Sequence, residues 1–276
     1  MILDGKKMAE TITTITKEEI EKNNYKITLA LILVGENPAS EIYVRNKNIA
    51  CQKVGIEVKN YRLSEDTEES ELLKIIDECN KDASINGILV QMPLPRHMDE
   101  EKVINTIDPN KDVDGLTVVN QGKLMGGLPT IPSATPKGVI TLLKRNNIEI
   151  EGKHVVIVGR SILVGKPLAF LFLQTNATVT ICHSRTKNLK EMTKQADIMV
   201  AAIGKPKFFT ADMIKEGAVV VDVGINRVDG HICGDVDFDE VSKIASFITP
   251  VPKGVGPMTI ASLLENIVDC YKMQNK

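Results

Sequence analysis

Residues 153–167, KHVVIVGRSILVGKP, decide the fold of the second half of the chain. An apolar run of strand type ends at Gly159 and a helix begins near Gly165, an arrangement typical of a turn that binds the phosphates of a dinucleotide. Five residues separate the two glycines, which differs from the GxGxxG spacing of that fingerprint. A tight structural turn between a strand and a helix therefore stays open as the alternative.

The segment after the next predicted strand indicates which nucleotide would bind. Residues 182–186 read CHSRT, whereas an NAD site places Asp or Glu there to bind the ribose hydroxyls. Ser184, together with Arg160 in the turn itself, offers hydroxyl and guanidinium donors that suit a 2′-phosphate. We therefore predict NADP rather than NAD; the alternative is that His183 and Arg185 belong to a solvated loop.

The rest of this half alternates strands with helical intervals, which indicates an α/β unit of the nucleotide-binding (Rossmann) type. Gly204 and Gly224 each follow a strand and would let a nicotinamide ring lie close to the backbone, with Ile225 flanking it. Either glycine is equally explained by an ordinary turn. The predicted strands are 153–159, 178–182, 197–202 and 218–224, and the predicted helices are about 165–175 and from 257 onward.

The first half of the chain shows the same alternation. The apolar run TLALILVG at 28–35 is typical of a strand that is buried on both faces. An amphipathic helix is predicted over the first 23 residues, with Met8, Ile12 and Ile15 on one stripe. Further strands are predicted at 56–63 and 86–91, and further helices at 37–54 and 68–80.

The two halves are separated by a segment of different composition. Residues 108–138 are dense in Gly, Pro and Asp, which predicts loops and a domain boundary. A helix over about 136–147 would then connect the two halves. The sequence thus predicts the α/β class, with two α/β domains and parallel sheets.

Composition excludes several other classes of protein. The chain has 276 residues, enough for two domains, and its 43% hydrophobic and 25% charged residues are an ordinary globular mixture. The net charge of -2 shows no overall excess of basic residues of the kind that nucleic-acid-binding proteins carry. No apolar run approaches the roughly 20 residues that span a membrane. The first residues carry no signal-peptide core. Five cysteines lie far apart without a CxxC pair, which predicts a cytoplasmic protein without a disulfide scaffold or metal site.

Candidate substrate-binding residues lie in the first half. Tyr43 and Lys47 stand four apart on a predicted helix and share a face, although a lone lysine is normally a solvated surface charge. Gln91 ends a strand, where open α/β sheets place their ligand contacts. In the loop that follows, Asp112 is explained by a turn, whereas Asp114 could accept paired hydrogen bonds from a ligand amidine.

Five motifs occur in the same order as in a known protein family. The sequence resembles the bifunctional methylenetetrahydrofolate dehydrogenase/methenyltetrahydrofolate cyclohydrolase (FolD) family along essentially its whole length. The motifs are YVRNK (43–47), GILVQMPLP (87–95), KDVDG (111–115), GRSILVGKP (159–167) and PVPKGVGPMT (250–259).

The resemblance implies an N-terminal folate domain and a Rossmann-type NADP domain that face each other across a cleft. The folate domain would span residues 1–135 and be joined by the C-terminal helix 256–276, and the NADP domain would span 136–255. A homodimer formed mainly through the nucleotide domains is also implied. The implied reactions oxidise 5,10-methylenetetrahydrofolate with NADP to the 5,10-methenyl form and hydrate it to 10-formyltetrahydrofolate. They would serve one-carbon metabolism and the biosynthesis of purines, methionine and histidine.

The resemblance also implies roles for individual residues. Lys47 matches the catalytic lysine of the family, and Tyr43 matches the aromatic residue that stacks on the pterin. Gln91 matches the glutamine that contacts the lysine, and Asp114 the carboxylate that grips the pterin. The implied NADP contacts are Gly159, Arg160, Ser161, Ser184 and Ile225.

Two places depart from the family pattern. Ser133 and Ala134 stand where many members have the first two residues of PCTP, and Lys253 stands where many have the first glycine of PGGVGPMT. Neither belongs to the residues assigned to chemistry, so we expect these departures to affect local loop shape and folate affinity.

The implied chemistry agrees with the residues present. Loss of hydride from a carbon between two nitrogens gives a resonance-stabilised cation, so the first step needs orientation rather than a metal. A free lysine, with a pKa of about 10.4, is a poor base for the hydration step, but burial or a nearby cation lowers such a pKa. The neutral amide of Gln91 would orient Lys47 without holding it in the charged form. Asp114 is expected to stay ionised and to accept the N3–H and 2-amino donors of the pterin.

Two other functions stay open on the residues alone. Another two-domain NADP oxidoreductase, of the shikimate or amino-acid dehydrogenase kind, would not explain YVRNK, QMPLP and KDVDG together. A nucleotide-binding regulatory or scaffold protein is disfavoured by the intact set of Lys47, Gln91 and Asp114.

Overall fold

The structure is a computed structural model that describes residues 1–275. The chain divides into two compact units. Among the described residues, the first unit consists of 11–134 and 260–275, and the second consists of 1–10 and 135–259. Within residues 1–275, no helix has the combination of length and apolar character that crossing a membrane requires.

The first part of the chain builds a three-stranded parallel sheet with helices. Its strand order is β2-β1-β3, and both pairings with the central strand β1 are parallel. The elements are α1 (Gly5–Asn23), β1 (Thr28–Val34), α2 (Pro38–Val54), β2 (Glu57–Leu63), α3 (Glu69–Lys81), β3 (Gly87–Val90), α4 (Glu100–Thr106) and α5 (Val118–Met125).

Strand β1 is buried on both faces, as its unbroken apolar sequence predicts. Leu29, Leu31 and Leu33 point into one hydrophobic cluster of the first unit. The alternating residues Ala30 and Ile32 point into a second cluster on the opposite face, beside helix α3. Side chains alternate across a strand, so a strand between two apolar layers has no position for a polar residue.

Two details of the first part differ from prediction. Ile15 is 44% exposed, and helix α1 instead buries Ala9, Ile12 and Ile20. The prediction that Ile15 lies on the same stripe as Ile12 was wrong. With 3.6 residues per turn, the buried face that includes Ile12 and Ile20 passes through Thr16, which is buried, and not through Ile15. Helix α5 lies in the segment predicted to be loops. The Thr117 side chain caps the start of this helix, because it accepts a hydrogen bond from the Asn120 N–H.

The second part builds a five-stranded parallel sheet in the order β10-β7-β6-β4-β5. The four strands predicted in this half are present, and the structure adds the edge strand β10 and a short β8–β9 hairpin. The elements are α6 (Ala134–Arg145), β4 (His154–Val158), α7 (Gly165–Leu173), β5 (Thr178–Cys182), α8 (Leu189–Thr193), β6 (Ile198–Ala201), β7 (Val219–Asp222), β8 (Asn226–Val228), β9 (His231–Cys233), α9 (Phe238–Val241), β10 (Phe247–Ile248) and α10 (Val255–Gln274).

In both sheets the second and third strands in chain order lie on opposite sides of the first strand. The chain passes from β1 to one neighbour, β2, and then to the other, β3; it passes likewise from β4 to β5 and then to β6. In open parallel sheets, ligands bind at the carboxyl ends of the strands that flank a reversal of this kind in strand order. The topology therefore directs attention to the residues that follow β1 and β3, and to those that follow β4 and β6.

Candidate active site

Lys47 and Gln91 contact each other at the carboxyl end of the first sheet. The Lys47 Nζ donates a hydrogen bond of 3.1 Å to the Gln91 Oε1. The Gln91 Nε2 donates to the Met92 carbonyl at 2.7 Å, which turns the amide oxygen toward the lysine. Gln91 is 9% exposed, and its backbone N–H extends the sheet by donating to the Ile32 carbonyl. The amide is thus fixed from both sides, and the half-buried ammonium group meets a neutral acceptor.

Helix α2 presents Tyr43 and Lys47 on one face, because residues four apart lie above each other on a helix. Tyr43 is 46% exposed, so its ring is available to a ligand. The start of the helix is tied to strand β2 through a bidentate ion pair in which Arg62 donates to Glu41 at 2.6 and 3.0 Å. This pair links the helix that carries the lysine to β2, an edge strand of the first sheet.

The loop that carries Asp114 is anchored on both sides. The Lys111 ammonium donates to the backbone carbonyls of Cys79, Asn80 and Asp82 at the end of α3, at 2.8 to 3.0 Å. On the other side, the Asp112 carboxylate accepts the Thr117 N–H at 2.8 Å, at the start of helix α5. Lys111 was not recognised from the sequence, since a lysine in a polar loop gives no local signal of burial.

Helix α10 and the linker also reach this loop within the first unit. The Asn266 amide donates to the backbone carbonyls of Val113 and Pro132, both at 2.9 Å. The Ser133 hydroxyl, one of the two departures from the family pattern, donates to the Gly115 carbonyl at 3.4 Å. The backbone around Asp114 therefore has little freedom.

Asp114 lies near Lys47, and three effects act on the pKa of its carboxyl group. Burial raises the pKa of the Asp114 carboxyl above its usual value, the Lys47 charge lowers it, and the neighbouring Asp112 raises it. Ligand donors that hydrogen-bond to the carboxylate would favour its ionised form. Of the four residues predicted for the chemistry, the structure thus groups Lys47, Gln91 and Asp114, with Tyr43 on the same helix face as the lysine.

The glycines of the β4–α7 turn allow a close backbone approach. Gly159 has a φ of +137°, which L residues with a side chain rarely adopt. A Cβ on Gly159 would overlap the Ala202 carbonyl oxygen, and a Cβ on Gly165 would overlap the Gly159 carbonyl oxygen. The turn is closed further by Ser161, whose Oγ accepts the Val164 N–H at 3.1 Å. The two glycines therefore let the turn pack closely against the residue after β6 and against the start of α7, and a turn directly before a helix N-terminus is where phosphates bind.

The other predicted nucleotide contacts lie at the same edge of the second sheet. Arg160 and Ser161 are exposed in the turn after β4, and Ser184 is exposed after the neighbouring strand β5. The segment after β5 is ordered by the Thr186 Oγ1, which accepts the His183 N–H at 2.8 Å. Ile225 follows β7, two strands from β4, and is 53% exposed.

The departure at Lys253 changes the backbone energy of its loop. Its φ of +83° lies in the left-handed region that favours glycine, at a cost of about 1–2 kcal/mol for other residues. The conformation is held in place through the Lys253 carbonyl, which accepts the Lys6 N–H at 2.9 Å.

Two family models match the chain. The catalytic domain of tetrahydrofolate dehydrogenase/cyclohydrolase matches residues 3–114, and the NAD(P)-binding domain of the same family matches residues 133–275. The chain belongs to the tetrahydrofolate dehydrogenase/cyclohydrolase family. It is therefore a bifunctional enzyme of folate one-carbon metabolism, and the alternative of a shikimate-type or amino-acid dehydrogenase is not favoured.

Relatives of the family match over nearly their full length. The bifunctional protein FolD of Agathobacter rectalis is 54% identical over 275 residues, which are 98% of this chain and 99% of that protein. The bifunctional protein FolD of Methanospirillum hungatei is 55% identical over 269 residues, with 98% and 96% covered.

Solved structures of the family have the same fold. The methylenetetrahydrofolate dehydrogenase/cyclohydrolase of Campylobacter jejuni superimposes with a TM-score of 0.97 at 47% identity and covers 99% of both chains. The enzyme of Trypanosoma brucei, solved with NADP and an inhibitor, gives a TM-score of 0.94 at 34% identity and covers 100% of this chain and 98% of that one. The predicted α/β class and parallel sheets are confirmed.

Proposed function

We propose that this chain oxidises 5,10-methylenetetrahydrofolate with NADP and hydrates the product to 10-formyltetrahydrofolate, with Lys47 as the proton-transferring residue of the second step. One observation carries the assignment: the Lys47 Nζ lies 3.1 Å from a neutral amide oxygen of Gln91 rather than from a carboxylate. A neutral partner orients the amine and leaves it free to change its protonation state, which a base requires.

The second unit fits NADP. The turn at Gly159, directly before the start of α7, would hold the pyrophosphate close to the backbone. Arg160 and Ser184 are proposed to bind the 2′-phosphate, because the segment after β5 has no carboxylate to repel it. Ser161 is proposed to shape the turn, and Ile225 to lie against the nicotinamide. NADP supplies the hydride acceptor for the first reaction.

The residues of the first unit would bind the folate and manage protons. Asp114 would accept two pterin donors in a bidentate pair, and these donors would favour its carboxylate form. Tyr43 would stack on the bound ligand and limit the access of water from its side. In the second reaction, water attacks the cationic methenyl carbon, and Lys47 takes up the proton that the water loses. The carbon–nitrogen bond of the resulting adduct then breaks as its hydroxyl proton is transferred to the departing ring nitrogen, which gives the formyl product.

Several finer features belong to the same proposal. Residues 1–135 with 256–276 would form the folate domain, and 136–255 the NADP domain. The enzyme would be cytoplasmic and would supply one-carbon units for the biosynthesis of purines, methionine and histidine. A homodimer through the NADP domains is supported by β5, the edge strand of its sheet, on which Ile181 is 39% exposed. Sedimentation of the full chain tests the dimer.

The function is tested by an absorbance assay of the purified chain. With methylenetetrahydrofolate, NADPH should form at 340 nm with NADP and far more slowly with NAD, and added methenyl substrate should be hydrolysed without any nucleotide. The variant Lys47→Ala should lose the hydrolysis while it still binds NADP. Near-normal hydrolysis in that variant would remove Lys47 from its role, and wild-type chain without NADP reduction would remove the dehydrogenase assignment.

A further inference from the structure

Two buried carboxylates lie beside the loops that follow β6 and β7 in the second unit. Asp222 ends β7 and is 3% exposed, and Asp235 follows β9 and is fully buried. A buried carboxylate is costly unless hydrogen bonds satisfy its oxygens. Both side chains obtain such bonds from N–H donors of nearby loops, so they connect segments that are distant in sequence.

Asp235 joins the two loops to which the nicotinamide contacts are assigned. Its Oδ2 accepts the N–H groups of Ile203 and Gly204 at 2.7 and 3.0 Å. Its Oδ1 accepts the Lys205 N–H at 2.8 Å and the Asn226 Nδ2 at 2.9 Å. One carboxylate thus fixes the loop after β6 and the residue directly after Ile225.

Asp222 holds Asp235 in place. Its Oδ1 accepts the Asp235 N–H at 3.0 Å and the Gly224 N–H at 3.0 Å, and its Oδ2 accepts the Val236 N–H at 2.9 Å. The neighbouring glycines make room for both acids. A Cβ on Gly224 would overlap the Asp235 carboxylate, and a Cβ on Gly234 would overlap the Asp222 carboxylate.

We propose that Asp235, held by Asp222, is a positioning residue for hydride transfer, because it fixes Gly204 and Ile225 in the arrangement that orients the nicotinamide ring. The inference rests on the proposed function, since it requires a nicotinamide at the carboxyl ends of β6 and β7. The 2′-phosphate contacts proposed at Arg160 and Ser184, and the proposed pyrophosphate turn at Gly159, belong to other loops. The two carboxylates therefore control the geometry of the reacting ring more than the affinity for NADP.

The test compares kcat with nucleotide affinity in Asp235→Asn. The substitution keeps the size of the side chain but turns an amide nitrogen toward N–H donors, so the loop must shift. A misplacement of about 1 Å costs on the order of 100-fold in rate. The dehydrogenase kcat should fall by about this factor, while the NADP dissociation constant, measured by calorimetry, changes far less and the nucleotide-independent cyclohydrolase rate is retained.

Two further variants sharpen the test. Asp239→Asn makes the same chemical change at an exposed position of α9 and should leave all three quantities at wild-type values. Gly234→Ala displaces the Asp222 carboxylate without removing either acid, and it should reproduce the loss of dehydrogenase kcat.

Two results would overturn the inference. One is a wild-type dehydrogenase kcat in Asp235→Asn. The other is a parallel loss of NADP binding, cyclohydrolase rate and cooperative unfolding, which would assign Asp235 to stability alone. Failure of the proposed function has a different signature, because the wild-type chain itself would then fail to reduce NADP with methylenetetrahydrofolate.

Discussion

Replacing Gln91 with glutamate tests the central contact of the site. The change keeps the shape of the side chain but places a carboxylate beside the Lys47 Nζ, 3.1 Å from the present amide oxygen. It also removes the N–H that donates to the Met92 carbonyl at 2.7 Å and leaves two acceptors facing each other. We therefore expect slower cyclohydrolysis and a less stable protein.

The magnitude follows from the distance. Two unit charges 3.1 Å apart attract by about 1.3 kcal/mol in water and by about 5 kcal/mol at an effective dielectric constant of 20. Lys47 is only half buried, so the lower value is the better guide and corresponds to about a tenfold bias toward the ammonium form. The unpaired Met92 carbonyl adds a destabilisation of about 1–3 kcal/mol.

The assay is the hydrolysis of methenyltetrahydrofolate as a function of pH. Gln91→Glu should lose about tenfold in rate near neutrality, and part of this loss should be recovered at higher pH, where the lysine can be deprotonated. Gln52→Glu makes the same change at an exposed position of α2, the helix that carries Lys47, and serves as the control. A Gln91→Glu enzyme with the rate and pH profile of the wild type would refute the reasoning.

Three other predictions concern the second unit. Arg160→Ala should weaken NADP by about 10- to 100-fold, the value of one charge-assisted hydrogen bond, and leave NAD nearly unchanged; equal losses for both nucleotides in a binding titration would contradict the 2′-phosphate assignment. Gly159→Ala should destabilise the protein by about 2–5 kcal/mol, because its φ is +137° and its Cβ would overlap the Ala202 carbonyl; an unchanged melting temperature would refute this. Burial raises the pKa of Asp222 from 3.8 to about 7; backbone N–H donors oppose this shift and the Asp235 charge adds to it. Between pH 3.8 and 7 the folded state therefore binds more protons at this group than the unfolded state does. The contribution of Asp222 to the free energy of unfolding falls as the pH rises through that range. Denaturant unfolding of Asp222→Asn should lack this slope, and wild-type and variant curves that stay parallel between pH 4 and 8 would count against it.

The parts of the fold that depend on local pattern were predicted from the sequence. The unbroken apolar run at 28–35 predicts a strand between two layers, and β1 is such a strand. The four-residue spacing of Tyr43 and Lys47 places them on one helix face, and α2 confirms the helix. These inferences succeed because periodicity and burial are properties of the segment itself.

Other features depend on partners that are far away in the sequence. Helix α5 lies in a glycine-rich segment without clear periodicity, and it is fixed by the Thr117 cap and by packing. Lys111 is buried because three carbonyls at the end of α3 accept its ammonium group, and no neighbour in the sequence indicates this. The hydrogen bonds around Asp235 could not be predicted from the sequence either, because their four donors lie about ten to thirty residues away along the chain. The acidic residues can be read from a single sequence, but the loops that donate hydrogen bonds to them cannot.

The division of the chain into units has a consequence for how the protein matures during translation. The second unit combines residues 1–10 with 135–259, and the first unit includes the end of the chain from residue 260. Domains of many proteins fold one after another as they leave the ribosome. Here residues 1–10 belong with a segment that begins at residue 135, and residues 11–134 belong with the part of helix α10 that begins at residue 260. Neither unit can therefore complete its apolar packing until segments that lie far apart in the sequence have both left the ribosome.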